Sequence, residues 1–323
     1  MTATTDTKVD HGETASRTAT SRPSGAVRAA TGKDRQATAL RLLLSSIDHS
    51  YDPIVDVDWA GELRPDMPYM PFSRLSLYGT ELWDGLSHEQ RIELSKHEIS
   101  SAMQVGLWFE MILMQMLLRY AYDLDMRTHH AQYALTEIGD ETRHSIMFAR
   151  AAEKLGTPHY RPRRYVHNLA RLYKAMGHGP SMFTPVLVAE EILDRLQREF
   201  MDDEEVQPLV RTISRIHVVE EARHVRYARE ELVRMMGELS GPARAYHQGL
   251  SSLVSYLVVD SIIDPQVYAA VGIDPEVGRA ASLRNPHYLQ SRKWALGKIM
   301  PFLVETGAVG GPGMRLLRKA SLV

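Results

Sequence analysis

The sequence predicts an all-α protein: a four-helix bundle core with additional flanking helices. Three observations carry that reading. Long stretches place apolar residues three and four apart, and no stretch alternates as a strand would. Gly and Pro fall between those stretches rather than inside most of them. A five-residue pattern, acid-Glu-x-Arg-His, occurs at Asp140-Glu141-Thr142-Arg143-His144 and again 80 residues later at Glu220-Glu221-Ala222-Arg223-His224, each copy within a long helical pattern.

Taken in order, residues 1–36 are rich in Thr, Ala and Ser with little to bury, which predicts a disordered tail. Residues 37–323 are expected to form a single domain with its bundle at about 87–236. Leu40, Leu43, Leu44 and Ile47 mark a short amphipathic helix over 37–47. Pro53, Pro65, Pro68 and Pro71 then indicate an extended arm over 48–86, laid on the surface of the core. Ser87 and Gln90 form a capping-box pattern that starts a long helix running to about 124. A second helix is expected from about 128 to 155, closed by Gly156 and Pro158. A connecting helix covers 163–176, a third long helix 183–201 and a fourth about 204–236. Ser240 and Pro242 open a further helix to about 263. Asp264-Pro265 and Asp274-Pro275 read as two more starts, followed by helices around 290–306 and a Gly-rich turn at 310–313.

Composition narrows the chemistry. Apolar content of 44% and charged content of 24% fit a globular protein, and a net charge of −2 offers no electrostatic attraction to nucleic acid or an anionic membrane. No uninterrupted apolar run reaches the ~18–20 residues that cross a bilayer, and the N-terminus lacks the pattern of a secretory signal, so the cytoplasm is the expected location. With no cysteine there are no disulfides, thiolate nucleophiles, iron–sulfur clusters or Cys-type zinc sites. Any metal must rest on Glu, Asp and His, a donor set suited to Fe, Mn or Zn.

A lone Glu-x-x-His is weak evidence, although it puts both side chains on one helix face. Here each pair is preceded at the same distance by another Glu: Glu110 lies 31 residues before Glu141, and Glu190 lies 31 before Glu221. One Glu from each of two helices and Glu-x-x-His from each of the other two is the ferritin-like scheme for a pair of metal ions. The levels also match. With a turn near 125–127, Glu110 and Glu141 each lie ~22–24 Å from it at ~1.5 Å per residue, and the same sum with a turn near 202–205 puts Glu190 opposite Glu221, so antiparallel packing brings the four carboxylates to about one height. Each interrupts an apolar stripe, and a buried carboxylate without a partner costs several kcal/mol. A structural salt bridge is the ordinary explanation for one such Glu; six positions meeting at one level favour a dinuclear site of Glu110, Glu141, His144, Glu190, Glu221 and His224. Glu191 falls with Arg195 and Arg198 on a more polar face, so Glu190 is the expected ligand. Asp140 and Glu220 read as acceptors behind the ligands or as surface charges, and Arg143 and Arg223 as bundle-edge ion pairs or supports for the ligands. His217 stands one turn before Glu221, where the first half has Glu137, and is a candidate third imidazole. Val218 follows His217 where a metalloprotease helix needs Glu, which excludes a zincin.

These residues resemble the para-aminobenzoate N-oxygenase (AurF-type) family of non-haem di-iron oxygenases. The distinguishing mark is a His four residues before the last ligand Glu, where His217 stands. The resemblance covers roughly residues 85–310. It carries over through Trp108-Phe109-Glu110, Asp140-Glu141-Thr142-Arg143-His144, Val188-Ala189-Glu190 and the run from His217 to His224. It implies a metal and catalytic set of Glu110, Glu141, His144, Glu190, His217, Glu221 and His224 holding two Fe ions, with Mn as the alternative. It implies activation of O2 and oxidation of a small-molecule amine, an arylamine or a relative, through hydroxylamine towards nitroso or nitro products, in specialised metabolism such as antibiotic biosynthesis. A homodimer is a family-level expectation. No Gly-rich dinucleotide fingerprint is present, so electrons are expected from an external donor or reductase. The competing expectations are a di-iron hydroxylase or desaturase acting on carbon, and a ferritin-like iron or oxidant handler.

Overall fold

The computed structural model describes residues 32–320 and 322; most of the expected tail, residues 1–31, lies outside them. Among the described residues every regular element is helical. Four helices form the bundle: α3 (His88–Tyr122), α4 (His129–Leu155), α6 (Pro180–Asp202) and α7 (Pro208–Glu238). Two antiparallel hairpins, α3–α4 and α6–α7, supply its tightest contacts. The remaining helices are α1 (Gly32–Asp48), α2 (Glu81–Asp84), α5 (Arg164–Met176), α8 (Gly241–Ser261), α9 (Pro275–Arg284), α10 (Pro286–Leu296), α11 (Ile299–Glu305) and α12 (Gly311–Lys319). Short 3₁₀ turns stand at Phe72–Arg74 and Pro265–Val271.

Helix ends follow local chemistry. The Ser87 hydroxyl accepts from the Gln90 amide while the Gln90 side chain accepts from the Ser87 amide, a complete capping box. The Thr128 hydroxyl caps α4, and Gly156 at φ 63° ends it in the left-handed conformation that glycine adopts without strain. Three boundaries differ from expectation because proline begins helices as readily as it ends them. Pro180 opens α6 three residues before the expected start. Pro208 opens α7 four residues late, since the residue before a proline is held out of helical geometry and Gln207 is extended. Pro312 lies in the first turn of α12, so the Gly-rich segment at 310–313 starts a helix instead of forming a free turn. α1 begins at Gly32, five residues early, anchored where Arg35 pairs with Glu231.

The arm at 48–86 is more than a surface strap. Leu75, Leu77 and Trp83 are buried in it, and the Ser76 amide donates to buried Glu98. α1 packs on α4 and α7, α5 on α3, α8 on α6, and α12 on α8.

Two apolar clusters divide the interior. One contains Leu113, Leu117, Tyr133, Leu187, Tyr227 and Leu232. The other contains Met103, Met147, Phe148, Phe200, Ile213 and Ile216. Along α3, α4 and α7 the seam between these clusters is where Glu110, Glu141 and Glu221 occur. α3 is the one described helix long and apolar enough, by length and composition, to cross a membrane. Half of its apolar window is buried in the fold and it carries Glu110, so it serves as a bundle core helix.

Candidate metal centre

The structure brings Glu110, Glu141, His144, Glu190, His217, Glu221 and His224 together, none more than 4% exposed. Three interlocking groups have ligand atoms within 4.8 Å of one another: Glu110 with His144 and His217, Glu141 with Glu221 and His224, and Glu190 with His217 and Glu221. His144 Nδ1 lies 3.1 Å from Glu141 and 3.2 Å from Glu221. His224 Nδ1 lies 2.9 Å from Glu141 and 3.0 Å from Glu221. His217 Nε2 lies 3.8 Å from Glu110 and 3.7 Å from Glu221.

Behind the imidazoles the two copies of the repeated motif brace each other. His144 Nε2 donates to Glu220 at 2.8 Å, from α4 to α7, and His224 Nε2 donates to Asp140 at 3.1 Å, from α7 to α4. The acid that opens each motif therefore serves the His that closes the other. Arg223 donates to Asp140 at 3.1 Å and to the His49 carbonyl at 2.8 Å, and Arg143 also pairs with Asp140. The Tyr51 amide donates to Glu220 at 3.0 Å, so the arm closes this layer from outside. With their Nε2 protons held outward, both imidazoles turn Nδ1 towards the carboxylates.

A sequence profile described as P-aminobenzoate N-oxygenase AurF matches residues 32–307. The chain belongs to that family. It is also similar to uncharacterised proteins of Mycobacterium tuberculosis and Mycobacterium bovis, each 26% identical over 260 residues that cover 77% of this chain and 75% of theirs.

The residues of this AurF-family chain fit a pair of divalent cations on an observation of their own. Glu110 Oε2, Glu141 Oε1, Glu190 Oε2, Glu221 Oε2 and His217 Nε2 are buried without a hydrogen-bond partner. Buried polar groups are seldom left so, and five at one level describe a cradle for positive charge. Electrostatics agree. Burial, then Glu141 and Glu190, push Glu110 well above the usual carboxylate range; burial, then Glu221 and Glu141, do the same to Glu190. Burial and Glu221 also act upward on Glu141, but the imidazoles of His224 and His144 outweigh them and hold it down to about 2. Burial opposes the charged forms of His144 and His224, yet the carboxylates around them win and both rise well above the ordinary imidazole value. Burial at the two glutamates, and crowded carboxylates at all four groups, thus favour the protonated forms of Glu110, Glu190, His144 and His224. His217 is different: burial, then His144, lower it to about 4, which leaves it a neutral donor.

Gln197 was not singled out from the sequence, yet its Oε1 accepts from His217 Nδ1 at 2.7 Å and aims Nε2 at the carboxylates. Its signal was its place seven residues after Glu190, two turns along the same face. Glu137, the counterpart of His217, is buried with Oε2 unpartnered beside Tyr133, whose hydroxyl is also unpartnered. Glu191 is buried too, but it points away into a two-bond pair with Arg229.

A cavity of about 270 Å³ lies between α3, α5, α6 and α8 and reaches the centre at Glu190. A smaller one of about 80 Å³ lies between α3, α6, α8 and α10 and reaches Met103, Phe148 and Gln197.

Proposed function

We propose that this protein is an O2-dependent di-iron N-oxygenase that converts an amine to the hydroxylamine level or beyond. The observation that carries the reading is the layer of seven buried Glu and His donors, five of them with orphaned atoms, in a chain of the AurF family. Glu110, Glu141, His144, Glu190, His217, Glu221 and His224 would hold the ions. Four carboxylates balance the charge of two divalent cations, and three neutral imidazoles complete a set of hard and borderline donors suited to iron, with manganese as the alternative. When bound, an iron pair supplies the capacity to bind O2 and reduce it.

The chain's own residues do the rest. Asp140 and Glu220 fix the His224 and His144 tautomers, and against burial His224, then Arg143 and Arg223, hold the Asp140 carboxyl below its usual range. Gln197 fixes His217. The apolar packing of Leu113, Leu187 and Phe148 around the polar layer limits water at the centre. Oxidation of an amine to a hydroxylamine consumes O2, two electrons and two protons and yields water, so each turnover needs a separate electron donor.

Two measurements on the purified protein test this. Metal analysis should find two iron or manganese ions per chain. The reduced protein, given O2 and a panel of arylamines and acyl substrates, should form N-oxygenated products. Oxidation confined to carbon would replace this reading with a hydroxylase. Rapid mineralisation of excess iron without amine oxidation would replace it with iron handling.

A further inference from the structure

The 270 Å³ cavity meets the centre at Glu190, on the α6 wall. Its other walls are the apolar face of α5 and the facing sides of α3 and α8, with Trp108, Leu113, Ala170 and Leu253 among them. Among the described residues no Lys, Arg or His lines it. The one phenol in its wall, Tyr173, is already committed, donating to the Ser181 carbonyl at 2.6 Å. We propose that this cavity receives the body of the substrate, and that the substrate is a small uncharged amine with an apolar body and no carboxylate. The proposal rests on the oxygenase reading above and names the substrate class for that site.

Size and charge decide it together. A cavity of about 150 Å³ is enough for benzene, so this one takes a single ring with a short alkyl group. The 80 Å³ cavity offers the cations that this one lacks, Arg74 and Arg292, but its volume is below what a benzene ring needs. Arg74 is moreover occupied by Glu199 at 2.8 Å and lies over the Trp294 ring. A carboxylate carried into the larger cavity would lose its hydration with no cation to replace it, and the buried carboxylates at the centre would repel it. An uncharged alkyl arylamine loses little on entry, and its nitrogen can face Glu190, the polar side chain of the wall that belongs to the centre. The mouth is formed by Leu169, Leu172 and Leu253, each 43–57% exposed, which presents an apolar entrance.

The test is calorimetric titration of the iron-loaded protein, kept free of O2, with 4-butylaniline and with 4-aminobenzoate. The butylaniline is expected to bind at least about tenfold more tightly, the equivalent of ~1.4 kcal/mol. Ala170→Phe, which fills the chamber, should abolish that binding while iron content stays unchanged. Leu253→Arg, which places a cation at the exposed mouth, should shift preference towards 4-aminobenzoate. Equal or tighter binding of 4-aminobenzoate to the unaltered protein, lost on Arg292→Leu, overturns the proposal. So does butylaniline binding that ignores Ala170→Phe. Admitting O2 afterwards separates this inference from the reading beneath it. Ala170-dependent binding with no oxidised product supports the chamber and counts against N-oxygenation. Preferred oxidation of 4-aminobenzoate supports the oxygenase and counts against the chamber.

Discussion

The α3–α4 and α6–α7 hairpins carry the same spacing of Glu and Glu-x-x-His, and they brace one another through Asp140 and Glu220, yet one turn before the second Glu they part. The first hairpin has Glu137 there and the second has His217. Glu137 is buried and pushed up in pKa by burial, so as a neutral acid it adds no charge. His217 is aimed inward by Gln197 and offers an unpartnered nitrogen to the carboxylates. Two halves with a common plan thus give the two sides of the centre different donors. The repeat brings six candidate donors together, and the departure from it adds a seventh candidate.

Removing what the halves share should have the largest effect. Glu221→Gln takes away a carboxylate that belongs to two of the three donor groups, and bound metal should fall from two ions per chain to near zero with helicity retained. Elemental analysis and circular dichroism read this, and retention of both ions would break the assignment. Breaking the symmetry comes next. His217→Ala should weaken retention by about 100-fold, while Glu137→Gln should change it by less than about threefold, reading supports for ligands at the scale of 10–100-fold. Equal losses in both variants would show that the halves are equivalent after all.

The braces come third. Asp140→Asn and Glu220→Gln should each weaken metal retention by about 10–100-fold, the Asp140 change more, because Arg143 and Arg223 pair with Asp140 more closely than with Glu220. Chelator competition orders the two, and the reverse order would sink this account. The smallest effect concerns pH. The pKa values of Glu110, Glu190, His144 and His224 are raised, so cation binding there should displace protons. Retention should therefore weaken as pH falls from 8 to 6. His217, already neutral above about 4, adds nothing to that slope, so His217→Ala should lower the affinity curve without changing its steepness.

How much of this was legible follows from geometry. The helical rise is fixed, so matched spacings of 31 residues translate directly into matched heights, and six candidate donors could be set at one level from residue numbers, whereas His217 joined the set through the family resemblance. The roles of Asp140, Glu220, Arg143 and Arg223 stayed open because their partners lie on a neighbouring helix, at a rotation that sequence spacing does not specify. The arm was harder still. An irregular segment has no period to reveal its buried face, so Leu75, Leu77 and Trp83 could not be told from surface residues. At Pro180, Pro208 and Pro312 one residue type had two readings, stop or start, and only the packed chain chose between them.

Pro185 lies inside α6, five residues before Glu190, and has no amide hydrogen to give the Ser181 carbonyl one turn back. Tyr173 of α5 donates to that carbonyl instead. The two positions are therefore epistatic. Tyr173→Phe alone strands a buried carbonyl at about 1–3 kcal/mol, whereas in a Pro185→Ala background the restored backbone bond should absorb most of that loss. Substitutions at 173 and 185 are free to drift only in company, and the seat of α5 over the cavity is inherited from a break in the ladder of its neighbour.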